Sequence, residues 1–284
     1  MISRRLLLAA APGLALAAGT VRAAEIRGEL KGGLLFLRAR IGPGEGLFLL
    51  DTGAPVTVLD RGFAGRAKVR EARDEVIVGV GGARIAARAE AAELTLEGGP
   101  AVRVEASITD LAAVAARIGL PLAGIVGSDF LSDYTATLDY GRGTLSLAIG
   151  PASSPSAAPM RFGRTPYVRA TAVLGAKSAS GEFQIDTGAN TAVVLWKPFA
   201  ERHFPGAGAA SGAVQGVAGV SQARIGRLTA LEVAGQRLAG LSANFADEVR
   251  PDDAGRDHAG VIGGPAFSGR RIIIDYPGQR FSFA

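Results

Sequence analysis

Residues 48–54 read Phe-Leu-Leu-Asp-Thr-Gly-Ala, and residues 183–189 repeat the pattern as Phe-Gln-Ile-Asp-Thr-Gly-Ala. In both copies an apolar run leads directly into an aspartate, and small residues follow, which suits a buried strand that ends in a tight loop. A lone Asp-Thr-Gly tripeptide arises by chance in about one chain in ten or twenty of this length. Two copies inside matching flanks therefore indicate an internal repeat.

Three further blocks recur in the same order and at nearly the same spacing. They are residues 78–82 and 215–219, residues 123–127 and 259–263, and residues 138–140 and 274–276. Chance similarity does not preserve both order and spacing, so the sequence predicts a duplicated domain. We expect one lobe over residues 25–150 and a second over residues 161–284. Between them, residues 151–160 are small and proline-rich, which predicts a linker.

Each half is predicted to consist mainly of β-strands. Glycine is abundant, at 40 residues, and aromatic residues make up only 6%, which favours short strands joined by tight turns. Polar and apolar residues alternate over residues 37–41, and residues 93–106 and 231–241 have hairpin patterns. Short helices are predicted near residues 61–67, 111–118 and 197–202. The sequence therefore predicts an all-β fold of two homologous, barrel-like lobes.

The first 24 residues are predicted to be an export signal. Arg4 and Arg5 precede an apolar stretch over residues 6–18, and small residues follow at a plausible cleavage site. The arginine pair before three leucines resembles a twin-arginine signal, although a Sec signal stays open. The apolar stretch is shorter than the roughly 20 residues that span a bilayer. We expect a periplasmic or secreted bacterial protein without a stable membrane anchor; an uncleaved anchor or a buried helix is the alternative.

Charge and cysteine content exclude several functions. Arg4, Arg5 and Arg22 carry three of the positive charges, so the net charge of +5 falls to +2 without the first 24 residues. With no basic run to follow a phosphate backbone, we expect no nucleic-acid partner. The absence of cysteine excludes disulfides, thiolate catalysis and iron–sulfur clusters. His203 and His258 are expected at the surface or in loops, and no metal or cofactor is predicted.

The two repeated aspartates, Asp51 and Asp186, are the candidate catalytic residues. A buried strand that ends in an unpaired carboxylate is costly, so we expect the two halves to bring their carboxylates together. Two adjacent carboxylates do not both ionise easily and share one proton, which provides an acid and a base in one site. The base can activate water while the acid donates a proton to an amide carbonyl. Such chemistry requires neither histidine nor a metal.

These blocks resemble the pepsin and retropepsin superfamily of aspartic peptidases, particularly the bacterial retropepsin-like proteins. The resemblance spans almost all of residues 25–284. It implies a bilobal acid-protease fold with pseudo-twofold symmetry and a cleft between the lobes. It also implies endopeptidase activity on a peptide or protein substrate. Because one chain already contains both aspartates, we expect a monomer.

The resemblance also implies roles for the residues around the aspartate pair. Thr52 and Thr187 are expected to form hydrogen bonds between the lobes beneath the pair. The rest of the two catalytic loops is Gly53, Ala54, Gly188 and Ala189. A psi-shaped crossing of strands beside the loops is expected at Ile125, Val126, Gly127, Val261, Ile262 and Gly263. Glycine-rich flaps over the substrate are expected at Gly79, Gly81, Gly82, Gly216 and Gly219.

The chain also departs from the pepsin pattern. Alanine follows Asp-Thr-Gly in both lobes, as in retropepsins, where pepsins have serine or threonine. Residues 264–266 read Gly-Pro-Ala where lobe one has Ser-Asp-Phe at residues 128–130, which predicts a distorted helix in lobe two. Trp196 is expected in the core or the cleft wall. Asp139 also repeats, as Asp275, and both are expected in hairpin turns.

Three alternatives to an active peptidase remain open at the level of sequence. The chain could be an inactive peptidase-like fold that binds peptides or proteins. It could be a ligand-binding β-barrel, in which case the two aspartates would lie beyond about 6 Å, too far apart to share a proton. The aspartates could also be structural turn residues.

Overall fold

The computed structural model describes residues 24–79, 82–152, 156–215, 219–247 and 258–284. Strands account for 57% of the described residues and helices for 12%, which confirms the all-β prediction. Residues 1–23 lie outside the described part, so the export signal stays a prediction. Within the described residues, no helix has the length and apolar character needed to cross a membrane.

Lobe one contains twelve of the described strands and three short helices. The strands are β1 (Ala24–Lys31), β2 (Leu34–Ile41), β3 (Gly44–Leu50), β4 (Val58–Asp60), β5 (Glu71–Gly79), β6 (Gly82–Ala89), β7 (Ala92–Leu96), β8 (Ala101–Val104), β9 (Ser107–Thr109), β10 (Leu122–Val126), β11 (Tyr134–Asp139) and β12 (Thr144–Ile149). The helices are α1 (Arg61–Arg66), α2 (Ala112–Ile118) and α3 (Ser128–Leu131).

Lobe two repeats this series in its described residues. The strands are β13 (Ala158–Phe162), β14 (Pro166–Leu174), β15 (Lys177–Asp186), β16 (Val193–Leu195), β17 (Ala210–Gln215), β18 (Val220–Arg227), β19 (Ala230–Val233), β20 (Gln236–Ala239), β21 (Ser242–Ala246), β22 (His258–Gly263), β23 (Arg271–Asp275) and β24 (Arg280–Phe283). Helix α4 is Lys197–His203, and a 3₁₀ turn at Gly264–Phe267 replaces the α3 of lobe one, as its Gly-Pro sequence predicted.

The main sheets of the two lobes have the same strand order. Lobe one runs β1–β2–β3–β10–β4–β9–β6–β5, and the β7–β8 hairpin pairs with β2. Lobe two runs β13–β14–β15–β22–β16–β21–β18–β17, and the β19–β20 hairpin pairs with β14. In each lobe a late strand, β10 or β22, lies between the two strands that flank the Asp-Thr-Gly loop, which is a psi-shaped crossing. The predicted duplication is confirmed.

A third sheet is shared by both lobes. Its order is β1–β12–β11–β23–β24–β13, and β11 pairs with β23 in antiparallel orientation at its centre. Thr137 faces Ile273 there, and these residues are equivalent in the repeat. The pseudo-twofold axis therefore passes between two equivalent residues of neighbouring strands.

Each strand that leads to an aspartate has one face in the main core and another outside it. In β3, Phe48 and Leu50 belong to the main core, whereas Leu47 and Leu49 pack in a second apolar cluster. In β15, Phe183 and Ile185 occupy the main core. The strand period of two thus places each aspartate on the same face as the residue two positions before it.

The predicted linker is too long at its C-terminal end. Residues 158–160 belong to β13, which pairs with both β14 and β24. Met160 is 3% exposed and packs in the main core, which explains why this end of the segment is ordered as a strand. Residues 153–155 lie outside the described part of the chain.

Candidate active site

The two aspartates sit at equivalent points of the two lobes. Asp51 directly follows β3, and its amide donates to the carbonyl of Val126 in β10 at 2.9 Å. Asp186 is the last residue of β15 and pairs with Gly263 of β22. The neighbouring strands β10 and β22 thus fix the backbone from which Asp51 and Asp186, respectively, project.

Each carboxylate is held by the loop that follows it. The Oδ1 atom of Asp51 accepts hydrogen bonds from the amides of Gly53 (2.8 Å) and Ala54 (3.0 Å). The Oδ1 atom of Asp186 accepts from Gly188 and Ala189, both at 3.0 Å. These backbone donors fix the orientation of both carboxyl groups and favour their ionised form.

The carboxyl groups approach each other across the pseudo-twofold axis. A Cβ atom built on Gly53 would lie 2.3 Å from Cγ of Asp186, and one built on Gly188 would lie 2.3 Å from Cγ of Asp51. Each carboxyl group therefore packs directly on the glycine of the opposite loop. Only glycine permits this approach, because any side chain there would overlap the opposite carboxyl group.

Thr52 and Thr187 join the lobes beneath the carboxylates, and both are fully buried. The Thr52 amide donates to Oγ1 of Thr187 and the Thr187 amide donates to Oγ1 of Thr52, each at 3.1 Å. The Thr52 hydroxyl donates to the Ile185 carbonyl (2.6 Å), and the Thr187 hydroxyl donates to the Leu50 carbonyl (2.8 Å). Four hydrogen bonds therefore cross between the lobes at the position where the resemblance implied them.

Burial and the neighbouring charge control the protonation of the pair. Burial, the charge of Asp186 and a hydrogen bond to Asp186 raise the pKa of Asp51 well above its usual range. The amides of Ala54 and Gly53 lower this pKa, but they do not outweigh the raising effects. The pair consequently retains one proton at pH values where an ordinary aspartate has lost it.

Two equivalent tyrosines, Tyr140 and Tyr276, lie near enough to the aspartate pair to interact with its charge, and sequence reasoning assigned them no role. Both are buried. Burial and the charges of Asp186 and Asp51 raise the pKa of the Tyr140 phenol, so it stays neutral. Within the described residues the Tyr140 hydroxyl has no hydrogen-bond partner. The only sequence signal for these residues was their repetition in the Leu-Asp-Tyr and Ile-Asp-Tyr blocks.

Side chains that are not repeated make the two halves of the site different. The Gln184 amide donates to the Gly53 carbonyl of the opposite lobe (3.3 Å) and to Oγ1 of Thr165 (3.0 Å). Its lobe-one equivalent is Leu49, which offers no donor. The Ser128 hydroxyl donates to the Thr52 carbonyl at 2.8 Å. Neither role was predicted from sequence, although mismatches between aligned repeats could have drawn attention to both residues.

The position equivalent to Ser128 in lobe two is Gly264, and it contacts the opposite lobe. A Cβ atom on Gly264 would lie 2.1 Å from the carbonyl oxygen of Gly33. Gly33 belongs to the turn between β1 and β2, so a lobe-one hairpin packs against the 3₁₀ turn of lobe two. The missing side chain makes room for this contact.

The three predicted flap glycines that the structure describes lie next to the turns of two hairpins. Gly79 ends β5 and pairs with Gly82, the first residue of β6, which has a φ of +111°. Gly219 precedes β18 in the equivalent β17–β18 hairpin and has a φ of +151°. Gly81 and Gly216 lie outside the described residues. The role of these hairpins as flaps stays a prediction.

The second pair of repeated aspartates lies in turns, as predicted. Oδ1 of Asp139 accepts from the amides of Gly141 and Arg142, both at 2.9 Å. Oδ1 of Asp275 accepts from the amide of Gly278 at 2.8 Å. Both carboxylates therefore cap the hairpin turns that follow β11 and β23.

The prediction for His258 was wrong. This residue begins β22, its side chain is 2% exposed, and its ring stacks on Tyr167 with centroids 4.5 Å apart. Its Nε2 atom lies 3.0 Å from an Arg161 nitrogen. The partners come from β13 and β14, whose pairing beside β15 could not be derived from the local sequence. His203 ends α4 with its ring against Phe199.

The described residues contain no cluster of three or more histidine, aspartate or glutamate side chains suited to a metal ion. Trp196 is 9% exposed and packs with Val194 and Val261 beside Ala189 of the second Asp-Thr-Gly loop, which agrees with its prediction as core or cleft wall.

Two matching β-lobes that join two Asp-Thr-Gly loops across a pseudo-twofold axis define the acid-protease class of fold. The family model described as aspartyl protease matches the chain twice, at residues 37–130 and 172–266. Each match contains one of the two aspartates, and together they cover more than half of the chain. The chain therefore belongs to the aspartyl protease family, which confirms the resemblance. A search of curated proteins found no match.

Proposed function

We propose that this family member is an aspartic endopeptidase and that Asp51 and Asp186 are its catalytic pair. The observation that carries the proposal is the packing of each carboxyl group on the glycine of the opposite loop, within 2.3 Å of a built Cβ. Such an approach brings two acidic groups into one site and lets them share a proton.

The proposed reaction uses the pair as base and acid. The ionised carboxylate removes a proton from a bound water, whose oxygen forms a bond to the peptide carbonyl carbon, and the protonated carboxyl gives its proton to the carbonyl oxygen. When the tetrahedral intermediate collapses, the carbon–nitrogen bond breaks and the leaving amine takes up the proton of the protonated carboxyl, while a hydroxyl of the intermediate gives its proton to the ionised carboxylate. The products are a carboxyl group and an amine, and the pair returns to its singly protonated state. The backbone donors on both Oδ1 atoms hold the pair in place.

The surroundings support an extended peptide as the substrate. Among the described pairings β5 pairs only with β6 and β17 only with β18, so each strand leaves an edge to which an extended peptide can add by backbone hydrogen bonds. We also propose that the working form is a monomer, because one chain supplies both carboxylates. Export to the periplasm or beyond rests on the signal-like residues 1–24 alone.

The direct test replaces each aspartate by its amide. Asp51→Asn and Asp186→Asn should each lower kcat/KM for peptide cleavage by about 10²- to 10⁴-fold, because the amide cannot exchange the proton. Cleavage is measured by mass spectrometry of a peptide-library digest across pH, and circular dichroism checks the fold. Asp139→Asn is the matched control, since this aspartate lies in a turn away from the pair.

If either amide variant cleaved peptides at the rate of the wild-type protein, the assignment of the catalytic pair would be overturned. A wild-type protein that binds library peptides in the cleft but cleaves none at any pH would instead identify an inactive peptidase fold.

A further inference from the structure

The strand faces that carry the two aspartates have opposite chemical character in the two lobes. Because side chains alternate along a strand, Leu47 and Leu49 share a face with Asp51, and Glu182 and Gln184 share a face with Asp186. These residues are equivalent in the repeat. A substrate lying across the pair would therefore meet different surfaces on its two sides.

The lobe-one surface is apolar. Leu49 is buried in a cluster that also contains Phe36 and Ile125, and Ala54 of the catalytic loop packs against this cluster. Val114, Ala115 and Ile118 of α2 are only partly buried and extend this apolar cluster. The other buried members of the cluster are Leu34, Val58, Leu111 and Leu122.

Five of the equivalent positions in lobe two carry polar side chains. Strand register aligns Phe36 with Tyr167, because these residues face Leu49 and Gln184 respectively. Register also aligns Leu122 with His258. The complete set of replacements is Thr165 for Leu34, Tyr167 for Phe36, Glu182 for Leu47, Gln184 for Leu49 and His258 for Leu122. Among the described residues of lobe two, apolar side chains remain in the cluster of Trp196, Ala246 and Val261, against which Ala189 and Val194 pack.

The polar set is linked by hydrogen bonds and a matched ion pair. Arg161 donates to both carboxylate oxygens of Glu182 at 2.9 to 3.3 Å, and its guanidinium lies 4.3 Å from the centre of the Tyr167 ring. The Arg161 and Glu182 side chains remain 40% and 34% exposed, whereas Gln184 is buried beside the catalytic loop. The surface thus offers donors and acceptors without an excess of either charge.

We propose that the peptidase cleaves between an apolar residue, held against lobe one, and a neutral polar residue, held against lobe two. The proposal rests on the endopeptidase function above. An extended peptide directs successive side chains to opposite sides, so the two residues that flank a bond at the pseudo-twofold axis face one lobe each. An apolar side chain over the partly exposed Arg161–Glu182 ion pair would desolvate it without replacing its lost water contacts. A neutral amide side chain replaces those contacts.

The test uses peptides with identical flanks and four central pairs: Leu-Leu, Leu-Gln, Gln-Leu and Gln-Gln. Both mixed orders are needed because the peptide can bind in either direction, with its N-terminal or its C-terminal side against lobe one. One mixed order should be cleaved with a kcat/KM at least about tenfold higher than Leu-Leu and Gln-Gln. Equal or faster cleavage of Leu-Leu would overturn the inference while leaving the peptidase assignment intact.

Reciprocal variants identify the residues responsible. Gln184→Leu gives lobe two the residue of lobe one and should shift preference towards Leu-Leu, whereas Leu49→Gln should shift it towards Gln-Gln. Tyr167→Phe removes only a hydroxyl and gives a second lobe-two variant if Gln184→Leu fails to fold, as judged by circular dichroism. Unchanged ratios in all the folded variants would contradict the assignment of specificity to these faces.

Binding separates this inference from the catalytic one. Fluorescence anisotropy with the Asp51→Asn protein should show the favoured mixed peptide binding at least about fivefold more tightly than Leu-Leu. This result would uphold the surface preference even if the wild-type protein cleaved nothing. If the wild-type protein cleaves peptides but the Asp51→Asn protein binds Leu-Leu more tightly than the mixed peptides, the proposed side-chain preference is rejected and the endopeptidase proposal stands.

Discussion

Single residues set how closely the two carboxylates approach. Neither Gly53 nor Gly188 has a positive φ, so their backbone conformation does not require glycine. Glycine is required because the opposite carboxyl group occupies the space that a side chain would need. The Asp-Thr-Gly motif therefore has a glycine for a reason that becomes visible only when both lobes are present.

Gly188→Ala should lower kcat/KM by at least about 100-fold, because the added methyl overlaps Asp51 and separates the pair, and a misplacement of about 1 Å costs that much. Steady-state kinetics with a cleaved peptide measures the loss. Gly65→Ala is the control, since nothing lies within 4 Å of the added atom. Equal activity of the two variants would show that the carboxylates do not depend on this contact.

The raised pKa of Asp51 also predicts how stability changes with pH. A group whose pKa is higher in the folded state than in the unfolded state binds its proton more tightly when folded. Its contribution to the free energy of unfolding is complete below the unfolded pKa and is lost as pH rises through the folded pKa. Asp51→Asn should therefore lose less stability than the wild type between acidic and neutral pH, as measured by Tm across pH. A parallel decline in both proteins would argue against the raised pKa.

Helices and hairpins could be predicted from the sequence where the residues that specify them are neighbours in the chain. Asp60 accepts from the amide of Phe63 at 3.1 Å and caps the predicted α1, and Gly119 ends the predicted α2 in a left-handed conformation. The hairpins around residues 93–106 and 231–241 likewise appear where turn residues interrupt alternating strands. The strand β13 was missed because part of its pairing is not local. Besides the adjacent strand β14, it pairs with β24, which lies at the far end of lobe two.

Met160 tests this revision of the linker. Met160→Ala should lower the free energy of unfolding by about 2 to 4 kcal/mol, since it empties a buried position. The neighbouring Pro159→Ala, at an exposed position, should change it by less than about 1 kcal/mol. Urea unfolding followed by circular dichroism measures both. A negligible effect at Met160 would restore the longer linker.

The distinction between local and long-range sequence signals also explains which residues of the site could be predicted. Asp51, Asp186 and the two threonines follow from a motif that occurs twice. Gln184, Ser128 and His258 act through contacts with other strands or with the opposite lobe, and strand register determines those contacts. Sequence repetition identifies what the lobes share, whereas the features that distinguish them require the three-dimensional pairing.

At the scale of the whole molecule, the lobes form one structural unit. They share the six-stranded sheet through β11 and β23, and four threonine hydrogen bonds cross between them beside the aspartate pair. Separation of the lobes would expose two strand edges and the buried threonines together.

Calorimetry should therefore show a single unfolding transition, with equal van't Hoff and calorimetric enthalpies. Thermal melting of the Asp51→Asn protein provides a matched sample without the proposed catalytic pair, so self-digestion during heating can be recognised by comparison. Two resolved transitions would show that the shared sheet does not couple the lobes.

The contact between Gly33 and Gly264 bears on self-association. If two copies of lobe one assembled around the same axis, Ser128 would take the place of Gly264, and its side chain would collide with the Gly33 carbonyl of the other copy. The pairing of unlike lobes avoids this collision. One missing side chain thus discriminates against a homotypic assembly of lobe one, so the two repeats have diverged into complementary and no longer interchangeable partners.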